Sequence, residues 1–200
     1  MKQLTEKEAE DFLEKNKFDV AKRTTVSKKS ELSKVKIPFP WVMKISSKKI
    51  MHKVKVGGVI LNVDSLEKAE ESFSSLSKIQ FFEEVIIQEM IRGKEIVIGV
   101  KNTAEFGHTI MFGKGGSDVE KNKDVSFRIF PAESKDINEM IKETAISQEL
   151  TPKELEQIKN VIEKIQLLIK NNSNLEELDI NPLLVNEKQA VTVDARLIFS

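Results

Sequence analysis

The chain has no cysteine, which removes disulfides, thiolate nucleophiles and cysteine-ligated zinc together and points to a cytoplasmic address. Its two histidines are too few for a histidine-rich metal site. Charge of one sign is absent as well: 32 basic side chains are matched by 32 acidic ones, so no global basic field exists to attract a phosphodiester backbone, and nucleic acid is not expected as a partner. No apolar run approaches the roughly 18 residues of a membrane span, and the opening MKQLTEKEAEDFLEK is charged from its first turn with no apolar signal core, so neither insertion nor secretion is expected. What remains is 200 residues, 40% hydrophobic and 32% charged, enough for one large domain or two small ones sharing a site.

Helix signals are local and chemical. Thr5 with Glu8 reads as a capping box before a helix to about Lys17, and Asp64 with Glu67 repeats the signal before a helix to about Lys78. Thr151 as N-cap, Pro152 in the first helical position and Glu154 behind them predict a third helix, with apolar spacing at Leu155, Ile158, Ile162, Ile165 and Ile169. Strand-like segments occupy 41–46, 57–63, 83–90, 94–101 and 108–113, with a lysine-rich loop at 47–56. Arg92-Gly93 reads as a hairpin turn joining 83–90 to 94–101. The chain closes with LEELDINPLLV, the turn NEKQ, and AVTVDARLIF, two strands in hairpin arrangement.

If Val185 and Ala190 flank that turn as an opposed pair, antiparallel register sets Leu183 opposite Thr192, Asn181 opposite Asp194 and Asp179 opposite Arg196. One amide oxygen and one carboxylate then meet within a polar patch. Magnesium would use such a pair, because it takes one or two oxygen side chains and completes its octahedron with water and phosphate oxygens. A solvated sheet face with an Asp179–Arg196 ion pair is the plainer alternative. Pro182 cannot donate to a ladder and marks an edge strand or a bulge.

Other candidates are individually modest. Lys44 lies inside an apolar strand, where its charge needs solvent or an anion. His52-Lys53 precedes Gly57-Gly58, whose backbones can approach phosphates closely, and a neutral imidazole can accept a phosphoryl group. An incidental surface histidine is the alternative. Gln88, Glu89 and Met90 end a strand where an adenine could be bound, and Glu95 follows within reach of a ribose hydroxyl. FGKGG lacks the lysine and hydroxyl ending of a P-loop. Beyond it Glu120 and Arg128 flank KNKDVSF, and a lone arginine in a lysine-rich stretch suits bidentate phosphate binding.

In order, MKISSKKIMHKVKVGGV, VIIQEMIRGKEIVIGV, FGHTIMFGKGGSDVEKNKDVSFRIFP, ELDINPLLV and AVTVDARL resemble the beta subunit of ADP-forming acyl-CoA synthetases, related to the nucleotide-binding part of succinyl-CoA synthetase. The resemblance runs over nearly the whole chain. It implies an α+β ATP-grasp fold, two lobes clasping the nucleotide, divided at 1–85 and 86–200. It also implies Mg2+ and ATP/ADP as cofactors, and an alpha subunit partner carrying the CoA-binding and phosphohistidine parts in an α2β2 assembly. Carried over residue by residue, Lys44 and Lys53 meet phosphates, Gln88 through Met90 the adenine and Glu95 the ribose, while Asn181 and Asp194 hold magnesium. His52 relays the phosphoryl group, with Glu120 and Arg128 nearby in the chemistry. The resemblance is weaker at Val54-Lys55-Val56 and at Lys114. A beta-type subunit of another acid–CoA ligase and a non-catalytic nucleotide-sensing module remain the alternatives.

Overall fold

The computed structural model describes residues 1–47, 49–50, 53–116 and 124–200. His52 and Glu120 therefore lie outside the described residues. The chain forms two compact units, Ala21–Ile91 and a second made of Met1–Val20 with Arg92–Ser200. The contacts thus group the chain differently from a single division near residue 85: both ends of the chain build one unit, and the segment between them builds the other.

In the larger unit, seven strands form one antiparallel sheet. They are β1 (Lys2–Gln3), β6 (Lys94–Thr103), β7 (Gly107–Lys114), β8 (Val125–Ile129), β9 (Leu175–Val185), β10 (Ala190–Thr192) and β11 (Ala195–Phe199), in the order β1-β11-β9-β6-β7-β8 with β10 also on β9. Among the described residues, three α-helices complete it: α1 (Glu6–Lys15), α3 (Ser134–Lys142) and α4 (Pro152–Asn171). The capping boxes at Thr5/Glu8 and Thr151/Glu154 are both present, with Pro152 opening α4. Along α4, Ile158, Ile162, Ile165 and Ile169 are buried and Leu155 packs beside them, meeting Ile96, Ile98, Leu178, Ile180 and Leu183 of the sheet. Each such side chain contributes about 1.5–3 kcal/mol on burial, which is why one sheet face carries the helices. The opposite face has none of this core cluster.

The smaller unit has the sheet order β2-β5-β3-β4, built from β2 (Arg23–Val26), β3 (Trp41–Ser46), β4 (Val59–Val63) and β5 (Glu84–Glu89), with α2 (Leu66–Leu76) on one face. Its core gathers Val26, Trp41, Met43, Ile45, Val63, Phe73, Leu76, Val85 and Ile87. Ser65 caps α2 by accepting from the Lys68 amide, one residue later than the Asp64 expected from sequence. Asp64 pairs instead with the Lys68 ammonium at 2.8 Å.

The hairpin expected across Arg92-Gly93 does not form. β5 lies between β2 and β3, whereas β6 lies between β7 and β9 in the other sheet. Gly93 has a packing reason: a Cβ there would stand 2.6 Å from the Val185 carbonyl oxygen. The carboxy-terminal hairpin does form in the expected register, with Ala190 opposite Val185, Thr192 opposite Leu183, Ala195 opposite Ile180 and Arg196 opposite Asp179. Pro182 sits at a bulge of an interior strand. Ile96 faces Leu183 and Ile98 faces Ile180, so Asn181 and Pro182 together oppose Val97, where the ladder needs no donor from proline. Among the described residues, no helix is long and apolar enough to cross a membrane.

Candidate functional site

The face of the larger sheet that carries none of the described helices holds the candidate metal residues. Cross-strand partners share a face, so the pairings Arg196↔Asp179, Asp179↔Gly99, Gly99↔Met111 and Met111↔Phe127 define one row running from β11 to β8. Its β11–β9 end is charged and its β7–β8 end apolar, with Phe127 and Ile129 each 53% exposed. Asn181 and Asp194 stand beside this row at the charged end. The amide of Asn181 donates to the Asp194 carbonyl at 3.2 Å, so the constant register on either side carries through the pair.

Among the described residues, the carboxylates of Glu177, Asp179 and Asp194 share this end with Arg196 and Lys101. Arg196 bonds Glu177 at 3.0 Å, and Lys101 lies 3.6 Å from the same carboxylate. The ion pair expected between Asp179 and Arg196 is thus replaced by one to Glu177, although the two residues are opposed as expected. Burial pushes the Asp179 carboxyl above its ordinary range, Arg196 works against that shift, and the charges of Asp194 and Glu177 add to it.

Gly115 and Gly116, just after β7, bond residues of this region. The Gly115 amide donates to the Glu95 carbonyl at 2.7 Å, and the Gly116 amide donates to Asn181 Oδ1 at 2.9 Å. Glu95 is exposed at the start of β6. The structure thus brings together Asn181, Asp194, Glu95 and these two glycines.

Arg128 is placed elsewhere. Ser126 and Arg128 of β8 oppose Phe112 and Ile110, which belong to the buried core, so they point to the helix-bearing face. Arg128 grips Glu143 just after α3 through Nη2–Oε1 at 2.7 Å and Nη1–Oε2 at 3.0 Å, and the Ser126 hydroxyl donates to the same carboxylate. Beside this clamp, Asp124 accepts from the amides of Ala145 (2.7 Å) and Ile146 (3.1 Å), and Lys114 lies 3.5 Å from Glu149. The strand ends flanking the glycine-rich turn are therefore tied to residues 143–149. Asp124 and Glu143 carried no sequence signal for this.

In the smaller unit, Lys44 lies on β3 between Ile86 and Val59 and is only 5% exposed. It faces away from the core formed by Met43 and Ile45. Gln88, two residues along β5 from Ile86, shares that face and is also buried. The Glu89 amide donates to Lys22 O at 2.9 Å, the Glu89 carboxylate accepts from the Lys22 amide at 2.8 Å, and the Met90 amide donates to Pro40 O at 3.2 Å. Neither amide is open to an adenine acceptor, so recognition at this strand end falls to other groups. Lys53 accepts the Gly58 amide on its carbonyl at 2.7 Å. Gly57 takes a left-handed φ of 68°, and a Cβ on Gly58 would lie 2.5 Å from Ile45 Cγ2. The glycine pair thus has a turn and a close approach to satisfy in its own right.

A profile of the ATP-grasp domain matches residues 1–199. The chain belongs to the ATP-grasp family. One relative, acetate–CoA ligase (ADP-forming) II of Archaeoglobus fulgidus, is 38% identical over 204 residues, covering 98% of this chain and 30% of the relative. Acetate–CoA ligase (ADP-forming) I subunit beta of Pyrococcus furiosus is 33% identical over 211 residues, covering 98% of this chain and 91% of the subunit. This ATP-grasp chain therefore spans about a third of the first relative and nearly all of the second. Among solved structures, the dinucleotide forming acetyl-coenzyme A synthetase 1 of Candidatus Korarchaeum cryptofilum, in complex with coenzyme A, Ca-AMPCP and HgCl+, superposes with a TM-score of 0.90 at 32% identity, covering all of this chain and 94% of that one. A second structure of that protein holds coenzyme A and Mg-AMPPCP, with its phosphohistidine segment pointing towards the nucleotide binding site.

Magnesium suits the residues of this ATP-grasp sheet. Among the described residues no group of three or more His, Cys, Asp or Glu is gathered to hold a metal ion. A cage built from protein alone is thus not present, and Asn181 with Asp194 offers the one or two oxygens that magnesium takes when phosphate and water supply the rest.

Proposed function

We propose that this chain is the nucleotide-binding beta subunit of an ADP-forming acid–CoA ligase, catalysing the step in which a phosphohistidine of a partner alpha subunit gives its phosphoryl group to ADP. The overall reaction is acyl-CoA + ADP + phosphate giving acid + CoA + ATP. In the two steps assigned to this chain, the phosphorus–nitrogen bond of the alpha-subunit phosphohistidine breaks as one to His52 forms, and that bond breaks in turn as a phosphorus–oxygen bond to the terminal ADP phosphate forms, leaving both histidines free and ATP made. Acetate and CoA are the substrates that these two relatives' names give. The assembly is an α2β2 heterotetramer in the cytoplasm.

The observation that carries this reading is the opposition of Asn181 and Asp194 at the charged end of the open sheet face. Magnesium, when bound, neutralises phosphate charge. Asn181 and Asp194 hold it from the larger unit, and Glu95 binds the ribose there. In the smaller unit, Lys44 and Lys53 neutralise phosphate oxygens, while Gln88, Glu89 and Met90 take the adenine through groups other than the Glu89 and Met90 amides. A loose phosphoryl-transfer transition state asks mainly for in-line placement and cationic neutralisation, so these residues need supply no covalent chemistry. His52 relays the group and Glu120 assists. Arg128, held by Glu143, acts by anchoring β8.

Calorimetric titration with ADP, in magnesium and again with the metal chelated, tests the reading. Magnesium-dependent binding is expected, and absence of binding in both conditions overturns it. His52→Ala should retain that binding and lose phosphoryl transfer from the alpha subunit.

A further inference from the structure

Gly116 touches two residues of the open face at once. Its amide donates to Asn181 Oδ1 at 2.9 Å. Because the donor is a backbone N–H, the acceptor must be the amide oxygen, which fixes which way round the Asn181 side chain lies. That oxygen has a second lone pair and can accept a cation on its other side. Gly116 also has a φ of 96°, and a Cβ built there would lie 2.2 Å from Glu95 Oε2. Only a glycine leaves the Glu95 carboxylate where it stands. The neighbouring Gly115 gives the turn its seat, since a Cβ at that position would stand 2.6 Å from the Ile96 carbonyl carbon, and its amide bonds Glu95 O at 2.7 Å. Gly115 and Gly116 therefore lie against the start of β6, with Gly116 touching both Asn181 and Glu95, all within the larger unit.

We infer that Gly116 is a positioning residue, coupling the orientation of the metal-binding Asn181 oxygen to the place of the Glu95 carboxylate. The inference rests on the nucleotide-binding reading above for its functional meaning, while the Gly116–Asn181 link stands on geometry. Groups that orient a metal ligand in this way typically change metal affinity about 10–100-fold when lost.

Two measurements test it on the whole chain. First, amide hydrogen exchange at Gly116 is followed by NMR without ligand, in the parent and in Asn181→Ala. Faster exchange in the variant is expected, and unchanged exchange overturns the link. Second, ADP affinity with and without magnesium is compared for Gly116→Ala and Gly107→Ala. Gly107 also has a left-handed φ, 66°, but a Cβ there meets nothing within 4 Å, so it controls for backbone strain alone. Gly116→Ala should cut the magnesium-dependent gain in affinity by about tenfold, and Gly107→Ala should leave it. Equal effects of the two substitutions overturn the inference. In a Glu95→Ala background the Gly116→Ala loss should shrink, because the methyl gains room; an undiminished loss contradicts the coupling. If the parent chain binds no ADP at all, the functional reading fails by itself, and the exchange measurement still decides the link.

Discussion

Arg128 and Glu143 form a two-pronged ion pair, 2.7 and 3.0 Å long, across the helix-bearing face of the larger sheet. The Arg128 guanidinium, with the Ser126 hydroxyl second, lowers the Glu143 carboxyl from its usual 4.5 to about 2. A depressed carboxyl contributes stability above its unfolded value and loses it as pH falls through the folded one. Glu143→Gln should therefore lower the melting temperature at neutral pH, and the gap to the parent should close between about pH 4.5 and about pH 2. Thermal unfolding across that window checks it. A gap that stays constant with pH would show that the charge of Glu143 is not what matters.

Asp179 behaves with the opposite sign. Its carboxyl is raised, chiefly by burial, so charging it costs the folded state as pH rises from the usual 3.8 through the raised value. Asp179→Asn should raise the melting temperature of the metal-free protein at neutral pH by about 2 °C. The gain should vanish below the usual carboxylate range. A loss of stability at neutral pH would contradict this.

The carboxylate of Asp124 satisfies two amides at the start of the 3-10 turn Ala145–Glu149. Asp124→Ala should cost about 1 kcal/mol, as loss of a helix cap does, with faster amide exchange at Ala145 and Ile146. Asp124→Asn, with one carbonyl oxygen, should retain part of the protection. Unchanged exchange in the alanine variant would sink the cap.

Lys44→Met keeps the length of the side chain within β3 and removes its charge. Circular dichroism should be unchanged, and ADP affinity should fall by about tenfold, in line with the value of a hydrogen bond to a charged group. Calorimetry measures this directly, and an undiminished affinity would remove Lys44 from the phosphate site.

The sequence made the parts with side-chain signatures legible. Thr5 with Glu8, and Thr151 with Pro152 and Glu154, announce helix starts because the capping groups are neighbours in the chain. The opposition of Asn181 and Asp194 followed from a four-residue turn and constant register, both local. Partnership between distant strands was less legible. Gly93 looks like a turn glycine, yet its smallness serves the approach of Val185, which lies far along the chain. Arg128 looked like a free phosphate binder because its partner, Glu143, reaches it only through the packing of α3 on the sheet. Gly116 was visible as one glycine of a turn, but its bond to Asn181 spans 65 residues and needed the fold to reveal it.

The pairing of β1 with β11 sets Lys2 opposite Phe199, so the first and last strands lie side by side at one edge of the larger sheet. Topologically, the larger unit is a nearly closed ring, and residues 21–91 are an insertion within it. A short peptide bridge from Ser200 to Met1 would complete the ring, and new ends could open in the turn 186–189 between β9 and β10 without cutting either sheet. A chain permuted in this way is expected to keep every strand pairing of both sheets.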